Sequence, residues 1–326
     1  MKNKNMPKLN DLVPTNLESE KEKFFASGFR YNPQFIYQKN ISEKELIRYG
    51  KPKLWYLFLA KRILRKYLKQ NDLVSQKINN KIFLDQDGVE DLIEERLGNY
   101  GLASRYKIIF SKDFISRIAV NNNNEVIKVR LPIMIDKNEI EAILNHEIDT
   151  HIIRQLNYER QPWFKKKKSN AFKPYLRTEE GLAAVNELIV SESKLAYKSA
   201  ANYLAVDLAL KKDFVTVFNF FYKIWQDSER AWTWTLKKKR GIRDTNKKGA
   251  FTKDLVYFEG FMQVLRYLKK NDCNPTELYY GKINYKDVKK AKKNCSQEEL
   301  ILPKFFTKDK EAYKQAVTEI IKNNLF

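Results

Sequence analysis

Apolar residues recur at helical spacing over most of the chain, and the rhythm breaks in one place. Leu54, Leu57, Phe58, Leu64 and Leu68 share one side of a 3.6-residue spiral, with Ile63 also apolar, which predicts a helix over about 53–69. An earlier helix is expected after Thr15 or Asn16, either of which can cap it. Glu18 and Glu20 would sit in its first turn, Phe24 and Phe25 would pack at its end, and Gly28 would close it. The residue before Pro33 is pushed out of the α region, so 31–35 reads as extended. Short helices follow over 42–49 and 87–97, the second stopped by Gly98 and Gly101. The period then shortens. Residues 106–110 are β-branched and aromatic, and 116–120 and 125–130 flank four asparagines, a hairpin signal. From about Lys137 the helical period returns through Ile140, Ile143, Leu144, Ile148 and Ile152, with Asp136 as N-cap and Glu139 completing a capping box. Beyond Glu179 the chain reads as helix to about Asp227, again over 253–270, and last over 310–323. The expected class is α+β and predominantly α-helical, with a small antiparallel sheet packed on the histidine-bearing helix. Residues 1–13 read as disordered, 14–100 as a helical N-terminal part and 101–326 as a catalytic part, joined into one compact unit without repeats or flexible linker.

Composition changes this picture little. Hydrophobic residues at 43% and aromatics at 13% are those of a globular chain. The net charge of +22 would attract nucleic acid, an anionic membrane or an acidic protein surface, although lysine-rich runs are usually solvated faces. Cys273 and Cys295 are too few for a disulfide framework. The start is polar and basic, and the longest apolar run, 54–60, is too short to span a bilayer. These features predict a soluble, cytoplasmic protein.

The two histidines carry the chemistry. Both lie in His146-Glu147-Ile148-Asp149-Thr150-His151. Imidazole is the usual nitrogen ligand of zinc, and a glutamate beside the first histidine is the usual base of a zinc hydrolase. A helix behind a sheet bearing this pair is the zincin layout. The spacing is unusual. Histidines four apart lie about 40° apart round an ideal helix, whereas five apart gives about 140°. Both reach one ion only if the helix widens locally, and a single π-type turn between Glu147 and His151 would do this. A third ligand must be a carboxylate, since no other histidine exists and the cysteines lie far downstream. Thr178-Glu179-Glu180-Gly181-Leu182-Ala183 opens an apolar helix that Thr178 can cap. Gly181, Ala183 and Ala184 would let it pack close to the histidine helix. Glu180 is the first choice as ligand and Glu179 the second. Asp149 reads either as support for a histidine or as extra charge at the site.

The ordered blocks resemble those of the microtubule-associated tyrosine carboxypeptidase family and its bacterial relatives. They are His146-Glu147-x-x-x-His151 with Arg154, the stretch 157–163, the glutamate block 178–183, the upstream 14–18 and 31–35, and the downstream 239–244 and 249–257. The resemblance covers about 14–270. It implies an HExxxH zinc peptidase with one Zn2+ held by His146, His151 and Glu180, and with Glu147 catalytic. It also implies removal of a C-terminal tyrosine, or in some members glutamate, from the acidic tail of α-tubulin. A carboxypeptidase must pin a terminal carboxylate. Arg240, Arg243, Arg177 and Lys253 are candidates beside family-like blocks, and Tyr257 is a candidate oxyanion donor. The basic run 165–168 would steer an acidic peptide tail.

The expected function is therefore a zinc metallocarboxypeptidase acting on a protein or peptide tail. The rival readings are a basic nucleic-acid binder using the aromatics of 214–240, a tail-binding protein without catalysis, and a zinc endopeptidase.

Overall fold

In the computed structural model, residues 9–72, 82–112, 116–167, 169–296 and 300–325 are described. Most expected helices form; the run expected from Glu179 to Asp227 is three helices, Leu176–Val190, Tyr197–Ala209 and Phe214–Trp225, and Ser228–Lys239 adds a helix that was not expected. The contacts group into two units, Met1–Ser75 with Tyr197–Phe258 and Gln76–Ala196 with Glu259–Phe326. Among the described residues no helix is long and apolar enough to cross a membrane.

The first unit gathers helices Leu17–Ala26, Glu43–Leu46, Leu54–Asp72, Tyr197–Ala209, Phe214–Trp225 and Ser228–Lys239. Its core is aromatic. Phe24 meets Phe214, Phe218 and Trp232 at centroid distances of 5.4, 4.8 and 5.1 Å. Phe214, Phe218 and Phe221 are wholly buried, as their spacing on one helix face requires. An aromatic stripe turned inward cannot stack on bases, which removes the feature that favoured the nucleic-acid reading. Two features near the start differ from expectation. Asn16 does not cap its helix, because its amide bridges to the backbone of Gln34 and Ile36. Leu9–Leu12, within the start read as disordered, form a 3-10 turn, and Leu12 is buried with Leu46 and Phe251. Residues 1–8 of that expected disordered start lie outside the described residues.

The second unit holds the sheet and the histidines. Strands β1 (Lys107–Ser111), β2 (Ile118–Asn121) and β3 (Val126–Arg130) lie in the order β1-β3-β2. The hairpin makes β2 and β3 antiparallel, but β1 pairs with β3 in parallel, so the sheet is mixed rather than antiparallel. Burial explains the arrangement. β3 carries the two fully buried side chains Ile127 and Val129, and the centre of a sheet is where such a strand belongs. β1 therefore adds to the free edge of β3 instead of continuing the meander.

A helix over Ile140–His146 runs into a segment Glu147–Ile152 and on into Ile153–Glu159. It starts three residues later than Lys137, and no capping box forms. The Asp136 carboxylate accepts from the Asn138 amide, while the Glu139 carboxylate pairs with Arg117. A second helix, Leu176–Val190, supplies the acidic residues. Thr178 does not cap it; its hydroxyl accepts from the Tyr285 amide, and the helix already begins at Leu176. Gly181 also serves a neighbour other than the histidine helix. A methyl on Gly181 would fall 2.2 Å from the carbonyl carbon of Gly260, and one on Gly260 would fall 2.0 Å from the Arg177 oxygen. The two glycines thus bring the acidic helix against Leu255–Lys270 at backbone contact.

Candidate metal centre

The segment Glu147–Ile152 is a π-turn, as the five-residue histidine spacing demanded. Buried polar groups hold it open. The Thr150 hydroxyl donates to the Asn145 carbonyl (2.7 Å), and the Tyr279 hydroxyl donates to the Asp149 carbonyl (3.1 Å). Asn186, on the acidic helix, donates its amide to both hydroxyls at 2.8 Å. Each hydroxyl so accepts once and donates once, and one carbonyl within the widened stretch and one just before it are satisfied inside the protein.

The widened turn brings both imidazoles to one side. Their centroids lie 5.1 Å apart and their planes at 67°. The Glu180 carboxylate lies 3.8 Å from His146 Nε2 and 3.6 Å from His151 Nε2. One donor atom from each of the three residues falls within 4.8 Å of the other two, so His146, His151 and Glu180 form a group able to hold a metal ion. Two imidazoles and one carboxylate are a catalytic zinc donor set, which leaves a coordination position for water. Glu147 stands beside it. One of its oxygens is 4.0 Å from His146 Nε2, and the other accepts from the Val120 amide of β2 at 3.3 Å.

The back nitrogen of each ring is engaged as well, the arrangement that fixes tautomer and tilt in metal-binding histidines. His151 Nδ1 lies 3.1 Å from Glu179, and His146 Nδ1 lies 3.4 Å from Glu187. Glu179 is therefore turned away from the gap between the rings. Its other contacts are the Arg154 guanidinium at 2.7 Å and the Lys282 ammonium at 3.3 Å. Burial works against its charge, but Lys282, Arg154 and His151 outweigh that and hold its carboxyl well below the usual range. Burial also acts to lower the pKa of His146, yet the carboxylates of Glu187, Glu147 and Glu180 prevail and raise it to about 9. The site favours positive charge.

Arg154 spends every arm of its fork inside the protein. It donates to the carbonyls of Leu278, Gly281 and Ile283 as well as to Glu179. Asp149 does neither of the things expected of it. It is buried, its carboxylate bonds to Arg96 and to the Tyr100 hydroxyl (2.5 Å), and burial raises its pKa despite Arg96.

Of the expected carboxylate-binding residues, Arg177 is in this unit, and its Nε donates to Glu259 at 3.0 Å. Arg240, Arg243, Lys253 and Tyr257 belong to the first unit. There Arg240 is not a surface cation. It is 8% exposed and stacked 4.7 Å over Phe251. Arg243 donates to the Tyr37 carbonyl, and the Lys253 ammonium lies 5.7 Å from the Tyr257 ring. Sequence reasoning missed Glu187, Asn186, Tyr279 and Lys282. Glu187 carried a signal, because it follows Glu180 by seven residues, two helical turns, and so shares its face. Tyr279 and Lys282 carried none.

The microtubule-associated tyrosine carboxypeptidase family matches residues 41–324. Microtubule-associated tyrosine carboxypeptidase 1 of Rattus norvegicus is 28% identical over 320 residues, which are 96% of this chain and 68% of that protein. The protein of the same name from Homo sapiens is 27% identical over 319 residues, 96% of this chain and 67% of that protein. This chain belongs to the microtubule-associated tyrosine carboxypeptidase family.

Proposed function

We propose that this family member is a zinc-dependent metallocarboxypeptidase of zincin type that removes one residue from the C-terminus of a protein or peptide tail. The observation that carries the reading is the convergence of His146, His151 and Glu180 beside Glu147 on a π-turn. Tyrosine is the favoured leaving residue, since the relatives are named for it; glutamate is the other specificity considered.

His146, His151 and Glu180 would hold the ion, with Glu187 and Glu179 keeping the rings aimed. Zinc bound there would supply Lewis acidity, lowering the pKa of a water and polarising the scissile carbonyl. Glu147 does the proton work. The Val120 amide fixes one of its oxygens and leaves the other toward His146 Nε2, where it can take a proton from the attacking water and return it to the departing amine. A tail rich in carboxylates would be drawn by the net charge of +22.

The test mixes purified protein with peptides varied at their last two positions and follows mass with and without chelator. Loss of a single terminal residue that stops on chelation is expected. Internal cuts would mean an endopeptidase, and absence of any cut with a stoichiometric metal bound would mean a tail-binding protein.

A further inference from the structure

The basic run that follows the histidine helix places one lysine in an unusual setting. The Lys167 ammonium lies 3.9 Å from the centroid of Tyr158 and 3.8 Å from that of Tyr175. Two ring faces hold it in place, and among the described residues it has no carboxylate and no hydrogen-bond acceptor. Cation–π contact orders an ammonium without cancelling its charge. The acid nearest in effect, Glu179, is already shared among Arg154, Lys282 and His151. Positive charge is thus left over at this place.

That place adjoins the metal-binding group. Tyr175 immediately precedes the acidic helix, and its carbonyl accepts from the Glu179 amide at 3.0 Å. Its hydroxyl has no hydrogen bond among the described residues. Burial, then the carboxylates of Glu179 and, less strongly, Glu180, push its pKa up to about 12. Lys282 bridges the two features, 6.0 Å from the Tyr175 ring and 3.3 Å from Glu179. Arg177, another cation of this stretch, donates to Glu259.

We propose that Lys167, presented by the faces of Tyr158 and Tyr175, receives the terminal carboxylate of the peptide substrate and so makes the centre an exopeptidase. The proposal rests on the peptidase reading above. An ammonium stripped of part of its water and given only ring faces gains most from an incoming anion. In keeping with that, burial lowers the Lys167 pKa to about 8 even though Glu179 opposes the shift. The flexible point charge of lysine suits a carboxylate that must leave after each turnover, where a bidentate arginine would hold it longer.

The experiment compares an acetylated hexapeptide of glutamates ending in tyrosine with its C-terminal amide. KM and kcat are measured on the zinc-loaded enzyme and on Lys167→Met and Lys167→Arg. A charge-assisted contact predicts that Lys167→Met raises KM for the free acid roughly 10- to 150-fold with little change in kcat. The amide is unaffected, and Lys167→Arg restores most of the discrimination. Equal losses on acid and amide, or wild-type KM for the acid in Lys167→Met, would overturn the proposal. A second arm measures equilibrium binding of the same labelled peptides to Glu147→Gln. Tighter binding of the acid than the amide is expected there even if no peptide is cut by the wild type, which separates this proposal from the peptidase reading. Equal binding of both would refute it, as would a preference that tracks the upstream glutamates rather than the terminus.

Discussion

The two imidazoles are backed in the same manner by the same helix, yet their surroundings differ. Behind His151 stands Glu179, whose side chain is 5% exposed and which is bonded to an arginine that is itself wholly enclosed. Behind His146 stands Glu187, with its side chain 29% exposed. One ring is fixed by a dry, charged network that also ties down the 278–283 stretch through Arg154. The other is steadied by a carboxylate at the edge of solvent, where water competes for it and screens it. The difference teaches that one side of the centre is fixed by enclosed charges, while the other is held where solvent leaves it room to adjust.

The largest expected effect bears on the pair as a whole. Replacing Glu180 by Ala removes the donor that both rings share, so stoichiometric zinc and peptidase activity should both disappear; elemental analysis after gel filtration reads the first. Glu147→Gln, by contrast, should leave the metal in place and lower kcat by about 10²- to 10⁴-fold, the usual contribution of a general base. Full activity in that variant would reassign the base. The asymmetry itself is tested by Arg154→Met. Stripping a buried carboxylate of its closest cation costs about 3–5 kcal/mol, and urea unfolding should show it; Lys282 keeps the figure toward the lower end. A loss below about 1 kcal/mol would show that Glu179 is not held as the contacts imply. Smaller still should be Glu187→Gln, which weakens zinc by about 10-fold, the low end for an orienting group, and leaves stability nearly unchanged. Glu179→Gln in the same assay should cost more on both counts. Equal effects of the two substitutions would end the contrast between the sides.

Much of this was readable in the residues themselves. The helices announced their faces by period, and the phenylalanines of Phe214–Trp225 fell into the core as their spacing required. The π-turn followed from arithmetic, since five-residue spacing on a regular helix cannot converge. What failed depended on partners distant in the chain. The hairpin signal was local and correct, but which edge β1 would join was decided by the burial of Ile127 and Val129. Asp136, Thr178 and Asn16 all had capping chemistry and used it on other backbone groups. Gly181 was recognised as a close-packing residue, but its partner, Gly260, lies in a helix that no local pattern connects to it. Arg154 stood in a family-like block without a role, because three of its four acceptors are carbonyls more than a hundred residues away.

The single surplus residue in the π-turn reaches further than the imidazoles. Each residue advances a regular helix by about 100°, so without the widening the extra residue would re-aim everything downstream of it by that angle. Arg154, on the first turn beyond, owes its bearing toward Glu179 to the same widening that swings His151 round to meet His146. Rewinding that stretch as a regular spiral with every residue kept would, in one stroke, part the rings and leave the enclosed acid without its counter-ion.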